Sequence, residues 1–184
     1  MSRDKILNSI KLNKPERLQL ESFTFNSSDG DLLDEFRKSV QSVGGDIIKQ
    51  TDFTIEKKYP SAKNIVSMID GYKTDIDPHK VPLEKLKSLD LALLKGEFGV
   101  AENGAVWLLE ESMGQRVIPF IAEHLVIFLK SSEIVSTMHD AYQRVNTLPD
   151  YGVFISGPSK TADIEQTLVL GAQGPLSLNI VLIN

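Results

Sequence analysis

Leu125-Val126-Ile127-Phe128-Leu129 is a run of five apolar residues with no polar break, and Leu176 to Ile183 forms a second, largely apolar run near the end of the chain. A strand with one face in water alternates apolar and polar residues, so an unbroken run reads as a strand buried on both faces. Such strands belong to parallel sheets covered by helices. Working outward, Asp46-Ile47-Ile48, Lys63 to Ile69, Leu89 to Leu94 and Tyr151 to Ile155 read as further strands. Asp31 to Val43 carries Leu32, Leu33, Phe36 and Val40 at helical spacing and stops at Gly44-Gly45. Ser131 is expected to start a helix carrying Ile134, Val135, Met138 and Tyr142, which would make a parallel crossover from Leu125–Leu129 to Tyr151–Ile155. Thr161 to Leu170 is expected to form the next helix, ended by Gly171 and Gly174-Pro175, with Leu168, Leu170, Ile180 and Leu182 in the core. The fold class that follows is α/β, an open, mostly parallel sheet covered by helices.

The 184 residues suffice for one domain burying roughly 70% of its unfolded surface. Residues 1–30 read as an N-terminal helical arm, with Ile6, Leu7 and Ile10 on one face, followed by a polar connector; residues 31–184 read as a single α/β domain. The absence of cysteine excludes disulfides, thiolate nucleophiles and cysteine-held zinc or iron–sulfur clusters. A net charge of -5, with lysines mixed among acids, argues against nucleic acid as a partner. No secretion signal and no membrane span is evident, and a cytoplasmic location is expected.

Ser156-Gly157-Pro158-Ser159-Lys160-Thr161-Ala162-Asp163-Ile164-Glu165 follows the Tyr151–Ile155 strand. Pro158 bars the strand from continuing, Ser159 or Thr161 can cap a helix, and Asp163 and Glu165 suit its first turns. Free N–H groups there, with Ser159, Lys160 and Thr161, could hold an anion, or the segment could be a well-capped junction only. Glu102, between an apolar strand and the Asn103-Gly104 turn, lies at a strand's carboxyl end, where open parallel sheets bind ligands; it could equally cap the backbone of its turn. Arg116 could pair an anion bidentately or solvate a loop. His124 beside Glu123 could act as acid or base, or be a hydrogen-bonded residue at a strand end. His79, His124 and His139 lack metal-ligand spacing, and neither a dinucleotide fingerprint, a P-loop nor a Gly-x-Ser-x-Gly elbow is present, so no metal or cofactor is expected.

The segment from Leu91 to Asn184 resembles the lactate-utilisation (LUD) domain family, and within it the members without a cluster. The likeness rests on Ala101-Glu102-Asn103-Gly104, the Arg116–His124 segment with Pro119, Gly157 to Glu165, and Leu168-Val169-Leu170-Gly171-Ala172-Gln173-Gly174-Pro175. It implies a fold like that of glucosamine-6-phosphate deaminase, ribose-5-phosphate isomerase and coenzyme A transferases. It also implies a part in bacterial oxidation of L-lactate to pyruvate beside iron–sulfur oxidoreductase partners. On this basis the expectation is an accessory subunit that binds a small anionic metabolite through Glu102, Arg116, Ser159, Lys160 and Thr161. The alternative is a free-standing enzyme acting on a phosphorylated or acylated metabolite at the same pocket, with Glu102 or Asp163 as general base.

Overall fold

A computed structural model describes residues 2–15, 31–148, 151–164 and 167–184, with backbone alone for residues 83, 161–164 and 167–170. In chain order the elements are α1 (Arg3–Leu12), α2 (Leu32–Ser42), β1 (Asp46–Lys49), α3 (Ile55–Lys58), β2 (Ile65–Ser67), α4 (Leu83–Leu86), β3 (Leu91–Lys95), β4 (Phe98–Val100), β5 (Val106–Leu109), α5 (Ile118–Ile121), β6 (His124–Lys130), β7 (Ile134–Val135), α6 (Met138–Val145), β8 (Gly152–Ile155), β9 (Lys160–Ile164), β10 (Thr167–Leu170) and β11 (Ser177–Ile183).

The main sheet runs β1-β11-β6-β3-β2 with every pairing parallel. β6 is its middle strand, and Leu125 to Leu129 are all buried, which explains the missing alternation. Successive side chains leave the strand on opposite faces, so the run feeds two cores. Leu125, Ile127 and Leu129, with Leu94 and Ile180, pack beneath Phe36 and Val40 of α2 and Val106 and Leu108 of β5. Val126 and Phe128, with Leu91, Leu93 and Val181, pack against Phe53, Ile55 and Tyr59 on the other side.

α2 forms where its apolar spacing places it. The Asp31 side chain accepts the Leu33 N–H at 3.0 Å, filling one of the free donors at the helix start. At its far end Gly44 adopts φ +84°, Gly44 N–H bonds Gln41 O and Gly45 N–H bonds Val40 O, both at 2.9 Å. That pair of bonds is a Schellman motif, and it turns the chain directly into β1.

Two expectations are corrected. Thr161–Leu170 is not a helix: β9 and β10 pair as an antiparallel hairpin. Four of these ten residues, Thr161, Ile164, Thr167 and Val169, are β-branched and lose side-chain freedom in a helix, whereas they suit a pleated strand. The helix-capping role of Ser159 or Thr161 and the dipole role of Asp163 fall with it; Glu165 lies outside the described residues. Ile180 and Leu182 are buried as expected, while the side chains of Leu168 and Leu170 lie outside the described ones.

Nor does a helix begin at Ser131. Ile134-Val135 becomes β7, and α6 waits for Thr137, whose side chain accepts the Asp140 N–H while Asp140 accepts the Thr137 N–H. This reciprocal capping box outweighs the apolar pattern just upstream. β8 then pairs antiparallel with β5 in a second sheet, β7-β4-β5-β8, rather than returning parallel to β6. Phe98, Val100, Trp107 and Leu109 on that sheet pack against Ala141 of α6. α1 buries no residue, and of the expected arm and connector residues 16–30 lie outside the described ones. Among the described residues no helix is long and apolar enough to cross a membrane.

Replacing Ile180, fully buried between the main sheet and α2, by alanine is expected to cost about 2–5 kcal/mol through lost burial and a residual cavity. Leu12→Ala, at a residue 84% exposed, should change stability by no more than about 0.5 kcal/mol. Urea unfolding measures both, and an unshifted midpoint for Ile180→Ala would place β11 wrongly.

Candidate functional site

Three backbone segments far apart in sequence meet at the carboxyl end of α2. Gly104, at φ +66°, backs onto the helix so closely that a Cβ would stand 2.7 Å from the Val40 nitrogen. Gly157, at φ +73°, would place a Cβ 2.5 Å from the Val43 carbonyl oxygen. Only glycine meets both demands, a left-handed conformation and contact with backbone. The Ser156 hydroxyl donates to the Asn103 carbonyl at 3.0 Å and ties the two turns together. Ser39 Oγ lies 3.5 Å from the Glu102 carbonyl oxygen and links them to the helix.

Beside this junction is a cleft of about 340 Å³ whose walls include Phe120, Ser156, Gly157, Ser159, Lys160 and Gly174. It adjoins the amino end of β11, since the Ser159 N–H donates to the Pro175 carbonyl at 2.8 Å. That bond overturns the expectation that the Ser159 N–H is free for an anion. The Ser159 carbonyl is also taken, by the Gly171 N–H at 3.1 Å, and Lys160 and Thr161 stand opposite Leu170 and Val169 in the hairpin. What the cleft offers an anion is therefore side-chain chemistry. The exposed Lys160 ammonium has no partner among the described residues and lies against Gly44, 3.4 Å from where a Cβ would be. A cation there also complements the negative end of the α2 dipole. The side chains of Thr161 and Asp163 lie outside the described ones.

Glu102 reaches the junction but faces a neighbouring helix. Its Oε2 accepts the Met138 N–H, the first of α6, at 2.8 Å, while Asn103 Oδ1 caps the turn itself by accepting the Ala105 N–H at 3.0 Å. Oε1 has no donor among the described residues. β4, which precedes Glu102, lies in the second sheet and pairs antiparallel with β5, so the carboxyl-end rule for open parallel sheets does not reach it.

Arg116 is engaged elsewhere. Its Nε and Nη2 hold both oxygens of Glu110 at 2.7 and 2.8 Å, and its guanidinium stacks 4.5 Å over the Tyr151 ring. The hydrogen bond from Arg116 holds the Glu110 carboxyl below its ordinary pKa. Tyr151 precedes β8 and Ser156 follows it, a separation of roughly 16 Å at about 3.3 Å per residue. His124 is a hydrogen-bonded strand-end residue, with Nδ1 2.8 Å from Ser177 Oγ and its ring 4.9 Å from that of Tyr59. Among the described residues no three histidine or carboxylate side chains gather as metal ligands.

The sequence reading missed a crevice of about 360 Å³ at the carboxyl ends of the main-sheet strands, where Lys95, Glu97, Lys130, Glu133 and Arg144 converge. Lys95 pairs with Glu97 at 3.1 Å and Arg144 with Glu133, so most of its charge is internally compensated. A lysine closing an apolar run, as Lys95 and Lys130 do, was the available signal.

The LUD domain model matches residues 33–183. Lactate utilization protein C of Anoxybacillus flavithermus is 29% identical over 81% of this chain and 70% of its own length. The protein of that name from Shouchella clausii is 28% identical over 57% of this chain and 48% of its own, and that from Bacillus pumilus 32% over 48% and 40%. The chain thus spans about half the length of several curated relatives that it matches. A crystal structure of a DUF162 family protein from Deinococcus radiodurans superposes with a TM-score of 0.59 at 15% identity, covering 83% of this chain and 96% of that one. That likeness bears on the fold alone.

If Glu102 holds the start of α6, Glu102→Ala should lose about 0.5–2 kcal/mol, the range for helix-start acceptors, and Glu102→Gln less because an amide oxygen can still accept. Thermal melts of the two variants check this, and a parental melting curve for Glu102→Ala would remove the helix-holding role.

Proposed function

The chain belongs to the LUD domain family, and on that premise we propose that it serves lactate utilisation as a subunit with no cluster of its own, holding the hydroxy-acid anion while iron–sulfur partner proteins carry the electrons. The curated relatives named lactate utilization protein C support the metabolic assignment. Oxidation of L-lactate to pyruvate releases two electrons and two protons. A chain without cysteine has no thiolate to hold an iron–sulfur cluster, so a cluster that takes these electrons would belong to another protein.

The observation that carries the reading is the Lys160 ammonium, without a partner among the described residues, beside a cleft that also presents Ser156 and Ser159. An ammonium pairs with a carboxylate through a charge-assisted hydrogen bond; Ser156, whose proton goes to the Asn103 carbonyl, can accept from a 2-hydroxyl group, and the Ser159 hydroxyl can accept or donate. Glu102 supports the wall indirectly, by fixing α6 and the turn that Ser156 bonds. Arg116, held by both oxygens of Glu110, is not among the residues lining this cleft.

Calorimetric titration with L-lactate and with pyruvate tests the proposal. Saturable binding is expected, weakened at least tenfold, or about 1.4 kcal/mol, in Lys160→Ala. The isolated chain should reduce no redox dye with lactate, and reduction should require added iron–sulfur partners. Absence of lactate and pyruvate binding, or unchanged affinity in Lys160→Ala, would retire the cleft; dye reduction by the chain alone would retire the accessory role.

A further inference from the structure

A second pocket, of about 360 Å³, lies between α2 and the carboxyl ends of β1, β6 and β11, with Arg37, Lys49, Gln50, Thr51, Ser131 and Asn184 among its lining. Its charge is one-sided: two cationic side chains line it and no aspartate or glutamate does. Arg37 is half-buried on α2, and its Nε is sealed from solvent with no acceptor. Neither Arg37 nor Lys49 has a hydrogen-bond or ion-pair partner among the described residues. Thr51 already donates to Asp52 at 3.3 Å, which leaves Arg37, Lys49, the Ser131 hydroxyl and the Gln50 and Asn184 amides as donors.

The surroundings point the same way. Ligands of open parallel sheets bind outside the carboxyl ends of the strands, and here three of the five strands end in lysine: Lys49, Lys95 and Lys130. Glu97 pairs with Lys95, while Lys49 and Lys130 have no ion-pair partner among the described residues. The neighbouring crevice balances its cations with Asp70, Glu97 and Glu133, whereas no aspartate or glutamate side chain lines the pocket beside Arg37 and Lys49.

We infer that this pocket binds a dianionic phosphate group of the kind carried by a phosphate monoester. The planar Arg37 fork suits two oxygens of one tetrahedral anion, Lys49 adds a point charge, and Ser131 supplies a neutral donor. A dianion can pair with both cationic side chains, whereas a monocarboxylate such as lactate can offset only one of them. The pocket lies at the opposite edge of the main sheet from the Ser156–Lys160 cleft, so either site can fail without the other.

Titration with inorganic phosphate, at a pH where it is dianionic and at constant ionic strength, gives the test. Saturable binding with a Kd below about 1 mM is expected, weakened at least tenfold in both Arg37→Gln and Lys49→Ala, and undisturbed by excess L-lactate. Lys49 is exposed, so its replacement examines the site without disturbing the core. Lack of saturable phosphate binding, parental affinity in either folded variant, or displacement of phosphate by L-lactate would overturn the assignment.

Discussion

Burial of Leu125–Leu129 on both faces of β6 sets the plan of the molecule, because five consecutive residues without contact to water need a layer on each side. One layer is supplied by Phe53, Ile55 and Tyr59, close behind β1 in the chain. The other is shared between α2 and the second sheet, whose Val106 and Leu108 join the same core as Phe36 and Val40. The second sheet then has an outer face of its own to cover, and α6 covers it. Each added layer follows from an apolar face left open by the one before.

α2 connects this packing to the candidate chemistry. Its apolar side anchors it on the main sheet, and its last turn serves as the surface on which Gly104 and Gly157 close. The 101–104 and 156–160 turns are thereby fixed to the core and to each other rather than left as surface loops. The same helix presents Arg37 toward the opposite, carboxyl edge of the sheet. One amphipathic helix thus borders both the lactate cleft and the phosphate pocket that we propose, at opposite edges of the same parallel sheet.

How much of this was legible in the sequence depended on whether the deciding contact was local. α2 and its Gly44-Gly45 stop were readable, as were β6 and β11, because helical spacing and unbroken apolar runs are properties of the segment itself. The β9–β10 hairpin was not: Ile164 and Leu168 stand at a spacing that also fits a helix, and the preference for a strand lay in the β-branched Thr161, Ile164, Thr167 and Val169. Asn103-Gly104 announced its turn, yet nothing local said that β4 and β5 would leave the main sheet. Arg116 was read as available because Glu110, six residues earlier, is brought back to it only by the helical turn of Glu110–Ser112 and the bend at Gly114. Arg37 passed as one more polar residue on a helix. Only burial of its Nε and the lack of carboxylates around it set it apart.

The central functional claim is that the junction at the end of α2 positions an anion against Lys160. A crystal structure grown at saturating L-lactate tests it most directly, since it reads the position of the ligand rather than its affinity. The account predicts lactate in the cleft, its carboxylate within hydrogen-bonding distance of Lys160 Nζ and its hydroxyl toward Ser156 or Ser159. Lactate bound elsewhere on the chain with this cleft empty, or contacting Arg116 after release of Glu110, would contradict it.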